Sequence, residues 1–254
     1  MAHRFFATRP LPASGILPLA EGDVHHIRTV LRVQPSESIE VVADGDVWRY
    51  EVTSVGEHVS GTRVERIASR PAMPRVTLAQ ALAKGDKVDT VVRQVTELGV
   101  ARIVPFAAAR SIVRLDAHKS AARAERWRRV AESAAKQARR ADMPEVAEPV
   151  ALLDLPGLLA GSAVLVCAED APDAPGIPEA LSALATLPED GVAVIVGPEG
   201  GFEPGEVAAL TDAGAIAVSL GPTILRTETA GVVAVALALA ACGGLGNAPE
   251  PRGD

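Results

Sequence analysis

Several things are scarce in this chain, and each scarcity excludes something. Cysteine occurs twice, at Cys167 and Cys242, both in apolar surroundings. Two such thiols make no disulfide framework, and no Cys/His spacing suits a metal, so none is expected. Aromatic residues are 3% of the 254. Aliphatic side chains must therefore fill the core, and a hydrophobic share of 48% suffices for one large domain or two modest ones. Long apolar runs are missing. The opening MAHRFFATRP has no signal-peptide h-region. The most apolar stretch, Gly231 to Cys242, is alanine-rich and too short to span a bilayer. The expectation is a soluble protein of a reducing, cytoplasmic compartment without a membrane partner.

Charge of one sign is scarce in two places. Residues 102–140 carry 11 basic and only 3 acidic side chains, whereas residues 141–254 carry 17 acidic and only 2 basic ones. The formal net charge of −7 thus hides a basic middle segment, and an acidic total does not exclude a nucleic-acid partner.

What is present divides the chain. Residues 1–70 read as mostly β. In SIEVVADGDVWRYEVTSVG the Asp44-Gly45 pair lies between β-prone runs, a hairpin pattern. HVSGTRVERI adds a strand, and DVHHIRTVLR has helical spacing, with Val24, Ile27, Val30 and Leu31 on one face. A small β-barrel with one short helix fits. Residues 71–75, within the proline-bearing SRPAMPR, read as a linker. From 76 to 244 strands and helices alternate, which implies a mostly parallel, doubly wound sheet. The strands are RVTLAQAL, ARIVPFA, AVLVCA, VAVIV and AIAVSL. The helices are DKVDTVVRQVTELGV, Ser120 to Arg140, EPGEVAALTDAG and TETAGVVAVALALAA, while EDAPDAPGIPE reads as an acidic loop. Residues 245–254 look disordered.

Two glycine loops follow strands directly: VGPEGGFEPGE from Val196 and GPTILRTETAG from Gly221. In parallel sheets ligands bind beyond the carboxyl ends of strands. Neither loop is G-x-G-x-x-G, and no P-loop lysine follows, so the nicotinamide and nucleoside-triphosphate fingerprints are missing. Glu199, Glu203 and Glu206 disfavour a phosphate. Tight turns that merely connect elements are one reading. A site for an uncharged or cationic ligand, gripped by backbone groups, is the other.

In order and spacing, these pieces resemble the SPOUT methyltransferases, and within them the RsmE type, the 16S rRNA uracil-N3 methyltransferases. The likeness covers most of the chain: HHIRTVLR, KGDKVDTVVRQVTELGVARIVPF, Arg110-Ser111, RWRRVAESAAKQARR, Pro144 and both glycine loops. Thr223 stands where a basic residue often precedes the isoleucine of ILRTETA. The resemblance implies an α/β fold: a SPOUT-type knotted domain, in which the chain forms a deep trefoil knot around a mostly parallel sheet, preceded by a small PUA-like barrel that binds RNA. It also implies S-adenosylmethionine (SAM) as cofactor, a homodimer, and 16S rRNA or the small ribosomal subunit as partner.

Carried onto this sequence, the cofactor pocket comprises Gly197, Pro198, Glu199, Gly200 and Gly201, then Leu220, Gly221, Ile224, Leu225 and Arg226, with Thr229 and Ala230 opening the next helix. Leu220, Ile224 and Leu225 could equally be core. Arg226, Glu199 and Glu228 are the catalytic candidates. A guanidinium stabilises the uracil anion and a carboxylate takes the N3 proton. The alternative for Arg226 is a charge partner of Glu199 or Glu228. Glu228 also suits the first turn of a helix, whatever its role. For RNA, a helical wheel gathers Arg126, Arg129, Lys136 and Arg140 on one side, opposite Trp127, Val130, Ala131, Ala134 and Ala138. Arg110, Arg114 and Gln137 extend that set, and Arg28 and Arg32, near His25 and His26, supply the barrel's contacts. Competing activities are another SPOUT reaction, such as ribose 2′-O methylation, or an RNA-binding protein without catalysis.

Overall fold

The computed structural model describes residues 3–67, 73–111, 117–169, 171 and 173–246. Arg114, residues 71–72 of the expected linker and the tail from 247 onward lie outside them. The chain forms two compact units, Met1–Ala72 with Ala135–Met143, and Met73–Ala134 with Pro144–Asp254.

In the first unit, strands β1 (Arg4–Phe6), β2 (Ser14–Ile16), β3 (Ser38–Ala43), β4 (Asp46–Val55) and β5 (Val59–Ile67) form one sheet in the order β1-β3-β4-β5-β2. The Asp44-Gly45 hairpin forms as expected, with Ala43 facing Asp46 and both turn residues at positive φ. Thr8 N–H donates to Pro18 O at 2.8 Å, drawing together the chain beyond the two edge strands, as a barrel requires. Ile27, Ile39, Val41, Tyr50, Val52 and Val59 fill the interior. Between β2 and β3 lies the short helix α1 (Glu21–His25), which runs into a wide π-type turn over His26–Leu31. That turn corrects the single apolar face expected of DVHHIRTVLR. Widening shifts the register, so Ile27 is buried while Val30 is 62% exposed.

In the second unit, β6 (Val76–Ala81), β7 (Arg102–Ala107), β8 (Glu145–Val146), β9 (Val150–Ala151), β10 (Ala163–Cys167), β11 (Val192–Val196) and β12 (Ile216–Val218) make a wholly parallel sheet. Its order is β12-β10-β11-β6-β7-β8, with β9 also on β7. The helices are α2 (Lys87–Leu98), α3 (Ala117–Gln137), α4 (Leu155–Leu158), α5 (Ile177–Ser182), α6 (Pro204–Asp212) and α7 (Thr227–Ala241). Alternation along β11 explains the layers. Val192, Val194 and Val196 pack with α2, α3, α5 and α7, while Ala193 and Ile195 pack with Leu155, Phe202 and Leu210 on the other face. Strand β11 enters late in the chain yet lies centrally, between β10 and β6. The chain then runs out to β12 at the edge and returns as α7 over β6 and β11. This path brings the two glycine loops together.

The long helix differs from its expected bounds of Ser120 to Arg140. It ends at Gln137, because Arg139 takes the left-handed conformation (φ 55°) and Arg140 N–H turns back to Ala135 O at 2.9 Å. Arg140 is therefore not on the helical wheel. Of the expected stripe, Trp127, Ala131 and Ala134 are buried, Val130 is only partly covered, and Ala138 lies past the helix end. Helix α5 begins within EDAPDAPGIPE, which is expected to be loop throughout; Pro178 is tolerated in its first turn, and Ile177 anchors it in the core. No helix among the described residues is long and apolar enough to cross a membrane.

Candidate active site

The site is built from the chain just past β6 and β11, the loop after β12, and the start of α7. Two crosslinks hold these pieces. The lower one starts at Gln80, a polar residue in an otherwise largely apolar strand and only 1% exposed. Its Nε2 donates to Thr227 Oγ1 at 2.9 Å, and Thr227 Oγ1 donates in turn to Gly197 O at 2.6 Å. Strand β6, the first turn of α7 and the first glycine loop are thereby joined. Helix α7 can lie this close only because Gly231 has no side chain; a Cβ there would land on Gln80 Oε1.

The upper crosslink is ionic. Lys87 Nζ lies 3.2 Å from Glu199 Oε1 and 3.4 Å from Glu228 Oε2. Lys84 N–H also donates to Glu199 Oε1, at 3.3 Å. Burial disfavours the Glu199 carboxylate, but its own backbone N–H, the Lys87 ammonium and the Lys84 N–H outweigh that and hold its carboxyl below the ordinary range. Lys87 is raised above its ordinary value, first by its hydrogen bond to Glu199 and against a cost of burial. Glu228 Oε2 is buried and makes no hydrogen bond of good geometry, so the ammonium is its compensation.

The expected cofactor residues fall into three groups. Gly197, Pro198, Glu199, Gly200 and Gly201 form the turn after β11, closed by Gly201 N–H donating to Pro198 O at 3.0 Å. Leu220 and Leu225 pack partly against the core, whereas Ile224 is 85% exposed and contributes nothing to it. Gly221 has φ 115° and open space where a Cβ would stand, a conformation that favours glycine. At the start of α7 the N–H groups of Thr229 and Ala230 both point to Arg226 O, at 2.8 Å. Arg226 is the N-cap residue. Its side chain is exposed and makes no ion pair among the described residues. The charge partner of Glu199 and Glu228 is Lys87 instead.

The expected RNA-binding residues are divided between the two units. Arg110 is exposed and donates to Gly200 O at 3.0 Å, so it props the first glycine loop. Arg126 pairs with Asp89 at 2.5 Å and Asp86 at 3.2 Å. Arg129 and Gln137 are exposed. In the first unit, Lys136 pairs with Asp23 at 2.6 Å, and Arg140, 9% exposed, pairs with Asp142 at 2.6 Å. Arg28, within the π-type turn, and Arg32, which caps it, are exposed.

Lys87, Gln80 and Thr227 escaped the sequence reading, although two of them left a signal. Lys87 is a cation at the first residue of a helix, the end the macrodipole makes unfavourable for it. Gln80 interrupts a buried apolar strand.

The residues fit a SAM-like ligand in two respects. Gly221 leaves a backbone surface with no Cβ over it. The ion cluster has two carboxylates and one ammonium, a net negative charge that tolerates a sulfonium; Glu199 and Glu228 side chains are 24% and 21% exposed.

Comparison with known proteins gives the family. The RNA methyltransferase domain family matches residues 70–239, and the RNA methyltransferase PUA domain family matches residues 19–58. The chain is 37% identical over 247 residues to the ribosomal RNA small subunit methyltransferase E of Mycobacterium bovis, covering 92% of this chain and 90% of that one. A crystal structure of the Neisseria gonorrhoeae ribosomal RNA small subunit methyltransferase E bound to SAM superposes with a TM-score of 0.81. It is 30% identical and covers 93% of this chain and 96% of that one. A Legionella pneumophila methyltransferase solved with SAM gives a TM-score of 0.85 at 27% identity, over 95% and 98% of the two chains.

Proposed function

Since the chain belongs to the RNA methyltransferase family, in the group of the ribosomal RNA small subunit methyltransferases E, we propose that it methylates N3 of a uridine in 16S rRNA of the small ribosomal subunit. The observation that carries this reading is the convergence of both glycine loops on one cluster, Lys87 with Glu199 and Glu228, beside an exposed Arg226.

SAM, when bound, supplies an electrophilic methyl group. The chain's own residues do the rest. Backbone groups of Gly197–Gly201 and Leu220–Arg226 bind and orient the cofactor. The N3 proton of uracil leaves only well above neutral pH, so the anion must be stabilised as it forms. Arg226, with no carboxylate neutralising it among the described residues, offers its guanidinium to that developing charge. Glu199 and Glu228 are the carboxylates at hand to accept the proton. Positioning of N3, methyl and sulfur in line supplies the remainder.

The RNA phosphates are met by the exposed cations of each unit: Arg129 on α3, and Arg28 and Arg32 in the PUA-like unit. Arg110 acts on RNA only through the glycine loop it props. The enzyme works in the cytoplasm as a homodimer. Supporting the dimer, α7 has no charged residue after Glu228, and Val232, Val233, Ala236 and Leu237 are only partly covered.

The test uses purified protein, labelled SAM, and unmodified small subunits or naked 16S rRNA, with nucleoside analysis of the product. Formation of 3-methyluridine is expected, and light scattering should give a mass of two chains. A 2′-O-methyl nucleoside would keep the fold and overturn the base as target. SAM binding without transfer to either RNA would overturn the substrate.

A further inference from the structure

Lys87 stands at the unfavourable end of α2, and nothing in its own helix explains a cation there. Its partners come from elsewhere, Glu199 from the loop after β11 and Glu228 from the first turn of α7. Without the ammonium, two partly buried carboxylates on separate elements would repel, leaving the Gln80–Thr227–Gly197 crosslink alone to hold the two loops in register. With it, the cluster carries one net negative charge.

We propose that Lys87 is a positioning residue that clamps the two glycine loops together and fixes the cluster at one net negative charge, so that the site prefers the cationic sulfonium of SAM to the neutral thioether of S-adenosylhomocysteine. This rests on the reading of the loops as the SAM site. The consequence for turnover is direct. When the methyl group leaves, the sulfur keeps the electron pair of the broken bond and becomes uncharged. The attraction of the cluster for the ligand then falls at the moment the product must depart.

The experiment is calorimetric titration of both ligands, at pH 8, into the wild type and three variants: Lys87→Met, Glu228→Gln and the double variant. Lys87→Met releases the clamp and makes the cluster more negative. Both ligands should bind about tenfold more weakly or worse, while the ratio of SAM to S-adenosylhomocysteine affinity rises about threefold or more. Glu228→Gln neutralises one carboxylate, and the ratio should fall by about the same factor. The double variant restores the charge without the clamp, so the ratio returns while affinity stays low. A purely structural lysine would weaken both ligands equally and leave the ratio unmoved, and that result overturns the proposal. Unchanged SAM affinity in Lys87→Met overturns it too. Should Lys87→Met not fold, Glu228→Gln and Lys87→Arg decide, the latter keeping the wild-type ratio. A wild type that binds neither ligand overturns the site itself, whereas a wild type that binds with a ratio indifferent to charge overturns Lys87 alone.

Discussion

The basic segment and the acidic segment look like opposites in the sequence, and the structure reverses what each has to offer. The segment 102–140 brings 11 basic side chains, yet Arg126 is held by Asp86 and Asp89, Lys136 by Asp23 and Arg140 by Asp142. The acidic segment has few cations of its own, but Glu199 and Glu228 share a single lysine from the start of α2, and Arg226 makes no ion pair among the described residues. A tally of charges measures supply. The charge available to a ligand is what remains after neighbours have taken theirs, and neighbours are decided by topology.

The contrast would break most widely at Trp127. It is 1% exposed, and its Nε1 donates at 2.9 Å to the same Asp89 that holds Arg126. Trp127→Ala should cost about 3–5 kcal/mol in chemical denaturation. Next comes Arg226→Ala, which should lower the single-turnover rate about a hundredfold while SAM affinity changes little; a wild-type rate would remove Arg226 from the chemistry. Gly200→Val puts a Cβ 3.3 Å from Arg110 Cβ, and we expect SAM affinity to drop about tenfold or more, the scale of overpacking, with the PUA-like unit still folded by circular dichroism. Smaller still, Arg129→Glu should reduce the salt slope of RNA binding by about one, whereas Arg140→Glu should act through the stability of the first unit. If both altered the slope alike, ion pairing would not be what separates them.

The smallest effect is in pH. Glu199 is depressed below 4.5, so its contribution is present above that value and is lost as pH falls through its lower folded value. Lys87 is raised above 10.5, so its contribution is present below that value and is lost as pH rises through its higher folded value. The melting-temperature difference between wild type and Lys87→Met should therefore stay level from about pH 5 to pH 10 and shrink on both sides. A difference that varied across the neutral range would point to another titrating group.

Much of the fold was legible because it rests on local physics. Asp44-Gly45 favours a hairpin, Val88, Val91, Val92 and Val95 share a helical face, and VAVIV is short and rich in β-branched residues, as suits a strand buried on both sides. The elements that escaped are the short ones. Strands β8 and β9 have two residues each, too few for a period, and α5 hides among prolines. In the site, the glycine loops were visible as punctuation after strands, and the catalytic candidates as charges within them. Lys87 was visible only as a misplaced cation; its pairing was not, because its partners lie more than a hundred residues away.

By itself, then, the sequence determined the longer strands and helices and marked the two glycine loops that follow strands, since periodicity and glycine placement act over a few residues. Only the tertiary structure decided that β11 lies between β10 and β6, that α7 returns over Gln80, and that one ammonium holds two distant carboxylates. Electrostatic and steric contacts depend on distance in space, which local sequence does not encode.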